Sequence, residues 1–289
     1  MNRLALGTAQ VGLDYGIANS SGRVSDPGLR ELLAVAAEAG VDLLDTAAAY
    51  GDSEARLGEA GTGAFQVVTK LPGLPEGERD VAGWVQARVE GSLRRLGRER
   101  LYGLLLHRPG DLSMDRGEAL ASALAAVRSQ GLAERVGVSI YDPEELPAAL
   151  ERLEIQLVQA PLNVVDRRLL TRGWLARLRG AGIEVHARSV FLQGLLLQAP
   201  EARPAAFARW NPLWEAWERW LAEAGVTALQ ACLGFVLSQP EVRYAVVGAD
   251  RAAQLWEVAA AARQPSPVPP GSLAVEDPAL VNPTRWSVA

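Results

Sequence analysis

Asp45 and Tyr50 stand five residues apart in Val41-Asp-Leu-Leu-Asp-Thr-Ala-Ala-Ala-Tyr-Gly51, Lys70 closes Gln66-Val-Val-Thr-Lys70, and His107 follows three leucines in Leu104-Leu-Leu-His-Arg-Pro109. Each sits at or just past the end of a run that reads as a buried strand. A tyrosine, with an ordinary pKa of about 10, is a reluctant acid at neutral pH. A neighbouring ammonium favours the phenolate, and a carboxylate keeps that ammonium charged and oriented. An imidazole beside them can donate a hydrogen bond to an oxygen that is gaining negative charge. The set is suited to handing a proton to a carbonyl oxygen. None of these side chains can deliver hydride, so a reduction would need a nicotinamide or similar cofactor. Lys70 alone would also suit a Schiff base or a solvated strand end, but a Schiff base needs neither Tyr50 nor His107.

Groups so far apart in sequence must be gathered by the fold. Strand-like runs are expected at 4–8, 41–46, 66–70, 101–107, 135–140, 155–160, 183–189 and 242–247. Helical patterns fall between them at 27–39, 53–60, 81–96, 115–130, 143–152, 166–180, 212–238 and 250–262. Asp26-Pro27 and Asp142-Pro143 mark two helix starts. Continuous apolar strands alternating with helices imply a parallel sheet covered on both faces. Eight such units in 289 residues predict a single-domain α/β fold, a closed (β/α)8 TIM barrel over 1–289. Its proline-rich tail, 264–289, is expected at the rim. In that architecture strand ends meet on one face, which would bring the four residues together. A doubly wound dinucleotide-binding sheet is the rival. Neither Gln10-Val-Gly-Leu-Asp-Tyr-Gly16 nor Gly58-Glu-Ala-Gly-Thr-Gly63 fits its glycine fingerprint in position.

Composition narrows the partners. The chain carries 29 lysines and arginines against 34 acids, a net charge of −5, and has no basic run, so neither nucleic acid nor an anionic membrane is expected. No apolar run approaches the roughly 20 residues of a membrane span, and the N-terminus does not read as a signal peptide. A cytoplasmic protein acting on a small soluble molecule is the expectation; oligomeric state is not legible. The one cysteine, Cys232, lies in an apolar helical stretch and reads as an inert core thiol. Two histidines and no cysteine cluster give no metal site. His186, mid-strand, reads as a hydrogen-bonded core residue. Trp217 and Trp220 read as packing, whereas Trp210, Trp214 and Trp286 could edge a pocket. Arg167-Arg168 reads as a solvated pair, although a sugar phosphate would suit it.

Leu6-Gly-Thr8, Asp45-Thr-Ala-x-x-Tyr-Gly51, Ser53-Glu54, Leu57-Gly58, Thr69-Lys70, Leu106-His107-Arg-Pro109, Gly137-Val-Ser139, Gln159, Ser189 and Gly194-Leu-Leu196 follow one another along nearly the whole chain. In that order they resemble the aldo-keto reductase family. The resemblance implies a (β/α)8 barrel that reduces aldehydes and ketones with NADPH, or with NADH. Tyr50 would be the acid, supported by Asp45, Lys70 and His107. Leu6 to Asn19 and Asn163-Val-Val-Asp-Arg-Arg168 look like a bacterial branch associated with sugar or polysaccharide metabolism.

By the same resemblance, Thr8 and Asp45 would lie near the nicotinamide ribose, Ser139 and Gln159 near the carboxamide, and Ser189 near the pyrophosphate. Departures from the family pattern leave the cofactor open. Ile140 replaces an asparagine after Ser139, and Arg188 stands where an aromatic ring usually stacks, a place a guanidinium plane can also fill. In the eighth-strand loop, Gly248 and Gln254 replace basic residues and Val258 an asparagine. Arg251 is the only nearby cation and could clamp a 2′-phosphate of the cofactor, whereas Asp250 would repel one. The family's habit favours NADPH. The leading expectation is an NAD(P)H-dependent reductase of a small carbonyl compound, sugar-derived or otherwise polar. An aldose dehydrogenase running the same chemistry backwards, or a non-catalytic nucleotide-sensing protein on the same scaffold, are the alternatives.

Overall fold

The structure is a computed structural model that describes residues 3–17, 19 and 22–286. The first two and last three residues of the expected domain, and Ala18 of the opening segment, lie outside the described residues. Eight parallel strands close into a barrel in sequential order: β1 (Leu4–Gly7), β2 (Leu43–Asp45), β3 (Gln66–Leu71), β4 (Leu101–Leu106), β5 (Ala133–Ser139), β6 (Leu157–Pro161), β7 (Glu184–Arg188) and β8 (Val242–Gly248). β8 returns to β1 through pairs such as Leu6 with Val247. All eight expected strands are present, within a few residues at their ends.

The apolar strands divide their side chains between two buried layers. Ala5, Leu43, Val68, Leu105, Leu157, Tyr244 and Val246 fill the barrel interior, and the alternate positions pack against the helices. A filled interior makes the barrel a solid floor rather than a pore. The pairing register then sets the site. Asp45 pairs with Val68, and Lys70 lies two residues beyond Val68; Lys70 pairs with Leu105, and His107 lies two residues beyond that. Since side chains alternate along a strand, Asp45, Lys70 and His107 share the inward face set by Val68 and Leu105.

The helices follow the expected order with three refinements. The helix expected at 27–39 starts one residue earlier than its Asp-Pro signal suggested: Ser25 is the cap, accepting from Gly28 N at 3.3 Å, and Asp26 opens the helix Asp26–Glu38. The stretch 166–180 is two short helices, Arg168–Thr171 and Trp174–Gly180, separated at the left-handed Gly173. The stretch 212–238 is also two, Asn211–Ala224 and Ala228–Leu237. Left-handed Gly225 ends the first, and a Thr227/Gln230 capping box starts the second.

Arg167 and Arg168 are not a solvated pair, because both are buried, at 7% and 2% exposure. Arg168 is bonded to Asp166 and Asp142, while Arg167 donates to the carbonyls of Pro269 and Pro270. Arg167 thus ties the proline-rich tail to the loop after β6, and Val275 N adds a bond to Val165 O at 2.8 Å. Among the described residues no single helix is long and apolar enough to cross a membrane. The pair Ala205–Ala224 and Ala228–Leu237 passes by length and composition together, bent by 89°. Ala231, Cys232, Leu233, Phe235 and Val236 of the second helix are core residues.

Candidate active site

Lys70 is the centre of the cluster. It is fully buried, and its Nζ donates to Asp45 Oδ1 at 2.8 Å, Asp45 Oδ2 at 2.9 Å and the Thr46 carbonyl at 2.9 Å. The Tyr50 hydroxyl stands 3.5 Å from the same Nζ, and the ammonium also lies 5.1 Å from the centre of the Tyr50 ring. Burial alone would discharge the lysine, but Asp45 and Tyr50 outweigh it and hold its pKa above the ordinary value. The His107 ring meets Tyr50 edge-on with centroids 5.9 Å apart. Burial, followed by the charges of Lys70 and Arg188, depresses the His107 pKa to about 4 against the opposing pull of Asp45. The imidazole is therefore neutral near pH 7, with one N–H to donate.

Tyr50 lies beyond β2 in a turn held from both sides. Ser53 N donates to Tyr50 O at 3.0 Å, and Tyr50 N to Ala47 O at 3.0 Å. Beneath the turn, Ser53 Oγ lies 3.1 Å from the Thr8 carbonyl, Thr8 Oγ1 and Thr46 Oγ1. Glu54, equally buried, accepts from Thr69 at 2.6 Å and from Arg95 at 2.6 Å. That anchors the helix Ser53–Ala60 to the strand residue preceding Lys70.

Tyr50, His107 and Asp45 face a cleft of about 320 Å³ at the carboxyl ends of the strands. Of the other residues singled out by sequence, Thr8, Ser139, Arg188, Ser189, Gly248 and Gln254 also line it. Lys70 and Gln159 lie beneath its floor. Gln159 is fully buried; its Nε2 donates to Asp45 Oδ1 at 2.7 Å and its Oε1 accepts from Ser139 Oγ at 3.4 Å. Arg251 is exposed and does not line the cleft. Arg188 lies over the Tyr141 ring at 4.1 Å and donates to Ile140 O at 2.8 Å and Ser189 Oγ at 3.1 Å. Ser189, Leu192, Gln193 and Gly194 all take left-handed backbone angles, uncommon for side-chain-bearing residues and concentrated at ligand clamps.

Tyr15, Gln10 and Gln193 line the cleft without having been singled out. Their place in the segments directly after β1 and β7, Gln10 in the short helix Ala9–Gly12 and Tyr15 and Gln193 in loops, is the signal that could have found them. His186 is in the core, its Nε2 2.7 Å from Glu184 Oε1 and its ring against Tyr102 and Tyr244. No tryptophan and no described tail residue lines the cleft. Trp217 is fully buried, and Trp214 lines a separate surface hollow with Phe207 and Arg203. Trp286 packs on Phe207 with centroids 4.9 Å apart.

A sequence profile of the aldo/keto reductase family matches residues 3–267. The chain belongs to this family. An aldo-keto reductase of Mycobacterium sp. (strain KMS) is 31% identical over 202 residues, covering 67% of this chain and 70% of the relative. In fold, the chain resembles an aldo-keto reductase from Bacillus halodurans (TM-score 0.74, 20% identity, 92% of this chain and 88% of that one). It resembles the glycerol dehydrogenase from Gluconobacter oxydans similarly (TM-score 0.71, 24% identity, 93% and 88%). As an aldo-keto reductase, this chain is an NAD(P)H-dependent oxidoreductase acting on carbonyl groups of small molecules. The residues present suit such a cofactor: the cleft has a proton donor at one end, a run of left-handed backbone at the β7 loop, and, at the β8 end, a carboxylate oxygen, Asp250 Oδ1, that is buried without a partner.

Proposed function

We propose that this aldo-keto reductase reduces a small polar, sugar-derived aldehyde or ketone, with Tyr50 as the acid. The observation that carries the reading is the contact of one buried ammonium, Lys70 Nζ, with both Asp45 and the Tyr50 hydroxyl at the floor of the cleft. A nicotinamide cofactor, when bound, would supply hydride for the carbonyl carbon. Negative charge then develops on the carbonyl oxygen, where the neutral imidazole of His107 donates a hydrogen bond and Tyr50 transfers its proton. Lys70 stabilises the phenolate left behind, and Asp45 keeps Lys70 charged. Thr8, Ser139, Arg188, Ser189, Gly248 and Gln254 would hold the cofactor, and Gln159, below the floor, positions Asp45. Amide groups of Gln10, Asn19 and Gln193 on the cleft wall suit a substrate bearing hydroxyl groups. We read residues 1–289 as one barrel domain of a cytoplasmic enzyme, its tail lying at the rim.

Tyr50→Phe tests this directly. Turnover of a panel of hydroxyaldehydes should fall by about 10²–10⁴, the range of a general acid, while reduced nicotinamide nucleotide still binds. Undiminished turnover would sink the assignment.

A further inference from the structure

The cleft does not end at Tyr50. It runs across the ends of β5 and β7 to the loop after β8 and the helix Ala252–Ala261, where Gly248, Asp250, Gln254 and Glu257 line it. A dinucleotide with its nicotinamide against Tyr50 would run along the cleft with its adenosine half toward that end. The side chains at that end differ sharply in charge from those at the other.

Among the described residues lining the cleft, Arg188 is the single lysine or arginine. Its guanidinium is committed to Ile140 O, Ser189 Oγ and the face of Tyr141, and it lies close enough to His107 to depress that imidazole's pKa. It belongs to the Tyr50 end. The β8 end instead carries two acids, Asp250 and Glu257. Arg251, next in sequence, is exposed and off the cleft. Position 248 is a glycine and carries no side chain of either charge, and the Gln10 amide lies over it.

Asp250 is also held in place. Its backbone N–H donates to Gln254 Oε1 at 2.7 Å, and its Oδ1 is buried with no hydrogen-bond partner. An orphaned buried acceptor is costly unless a donor reaches it. Asp250 also lines the cleft, and a ribose 2′-hydroxyl reaching its carboxylate from there would be a donor to it, the pairing by which a carboxylate selects the unphosphorylated dinucleotide. A 2′-phosphate, close to dianionic at neutral pH, offers no donor and adds repulsion.

We infer that Asp250, with Glu257 also lining this end and no lysine or arginine among the described residues lining it, makes this enzyme prefer NADH to NADPH. The inference rests on the cofactor-binding reading above and reverses the preference suggested by family habit.

Titration of the purified protein with NADH and with NADPH, followed by nucleotide fluorescence, tests it without any substrate. NADH should bind at least about tenfold more tightly than NADPH, equivalent to ~1.4 kcal/mol. Asp250→Asn should narrow that ratio to about threefold or less, mainly by tightening NADPH. Asp250→Ser should do the same and guards against a fault of one variant. NADPH binding as tightly as NADH to the unmodified protein, or a ratio unmoved by both variants, overturns the inference but leaves the reductase reading standing. Binding of neither nucleotide overturns both.

Discussion

Gln159 Nε2 donates to Asp45 Oδ1 at 2.7 Å, sharing that oxygen with Lys70 Nζ at 2.8 Å. The amide is fully buried and its own oxygen is taken by Ser139, so it fixes the rotation of the carboxylate that positions Lys70. Removing one such bond costs about 1 kcal/mol or somewhat more. Gln159→Leu should therefore lower kcat by about tenfold while leaving the nucleotide Kd within about twofold. Steady-state kinetics and fluorescence titration separate the two effects; a large rise in Kd with kcat intact would instead make Gln159 a direct cofactor contact.

Lys70 and Asp45 are both buried, at 1% and 4% exposure. Cutting such a pair on one side strands a charge, at a cost of about 3–5 kcal/mol. Lys70→Met should show that loss in urea unfolding, and Lys70→Met combined with Asp45→Asn should recover part of it. Equal stability of the single and double variants would mean the pair is not electrostatically coupled. Turnover should be impaired in both, since the ammonium that stabilises the Tyr50 phenolate is gone.

His107 titrates at about 4 instead of its ordinary 6.5. Because the folded value is depressed, its contribution to stability is present above pH 6.5 and is lost as the pH falls toward 4. The acid limb of kcat/KM due to this imidazole should likewise lie near pH 4, with no inflection near 6.5. His107→Asn, which keeps a donor but cannot titrate, should remove that limb from the pH profile. A limb unmoved by the variant would assign it to another group.

Gly12 and Gly51 let two loops touch where Tyr50 is held. A Cβ on Gly12 would sit 1.8 Å from the Tyr50 carbonyl oxygen, and a Cβ on Gly51, at φ +55°, would in turn clash with the Gly12 carbonyl oxygen. Gly12→Ala should destabilise by about 1–3 kcal/mol, as overpacking does, and should lower kcat by displacing the Tyr50 turn. Gly110→Ala, in open space, is the control and should be near neutral in thermal melts.

The barrel was legible from residue order because its cause is local and repeated. Strands buried on both faces must be continuously apolar, and helices that cover them must be amphipathic, so eight alternations leave few other architectures. Asp45, Tyr50, Lys70 and His107 were legible for the same reason: polar groups at the ends of such strands have only the carboxyl-end face to meet on. Side-chain partners are set by three-dimensional proximity, and there the sequence was silent. Arg167 and Arg168 look solvated as a dipeptide, yet the fold surrounds them with Asp166, Asp142 and the carbonyls of a tail about 100 residues away. Gln159 turns to Asp45 across 114 positions. Arg251 and Asp250 are neighbours in sequence, but only one faces the cleft. Residue types and periodicity determined the barrel and the meeting of Asp45, Tyr50, Lys70 and His107 at its carboxyl-end face. The direction each remaining polar side chain takes, and with it the charge presented to a cofactor, was decided by tertiary packing, because burial forces every polar group to whichever partner the folded chain brings within reach.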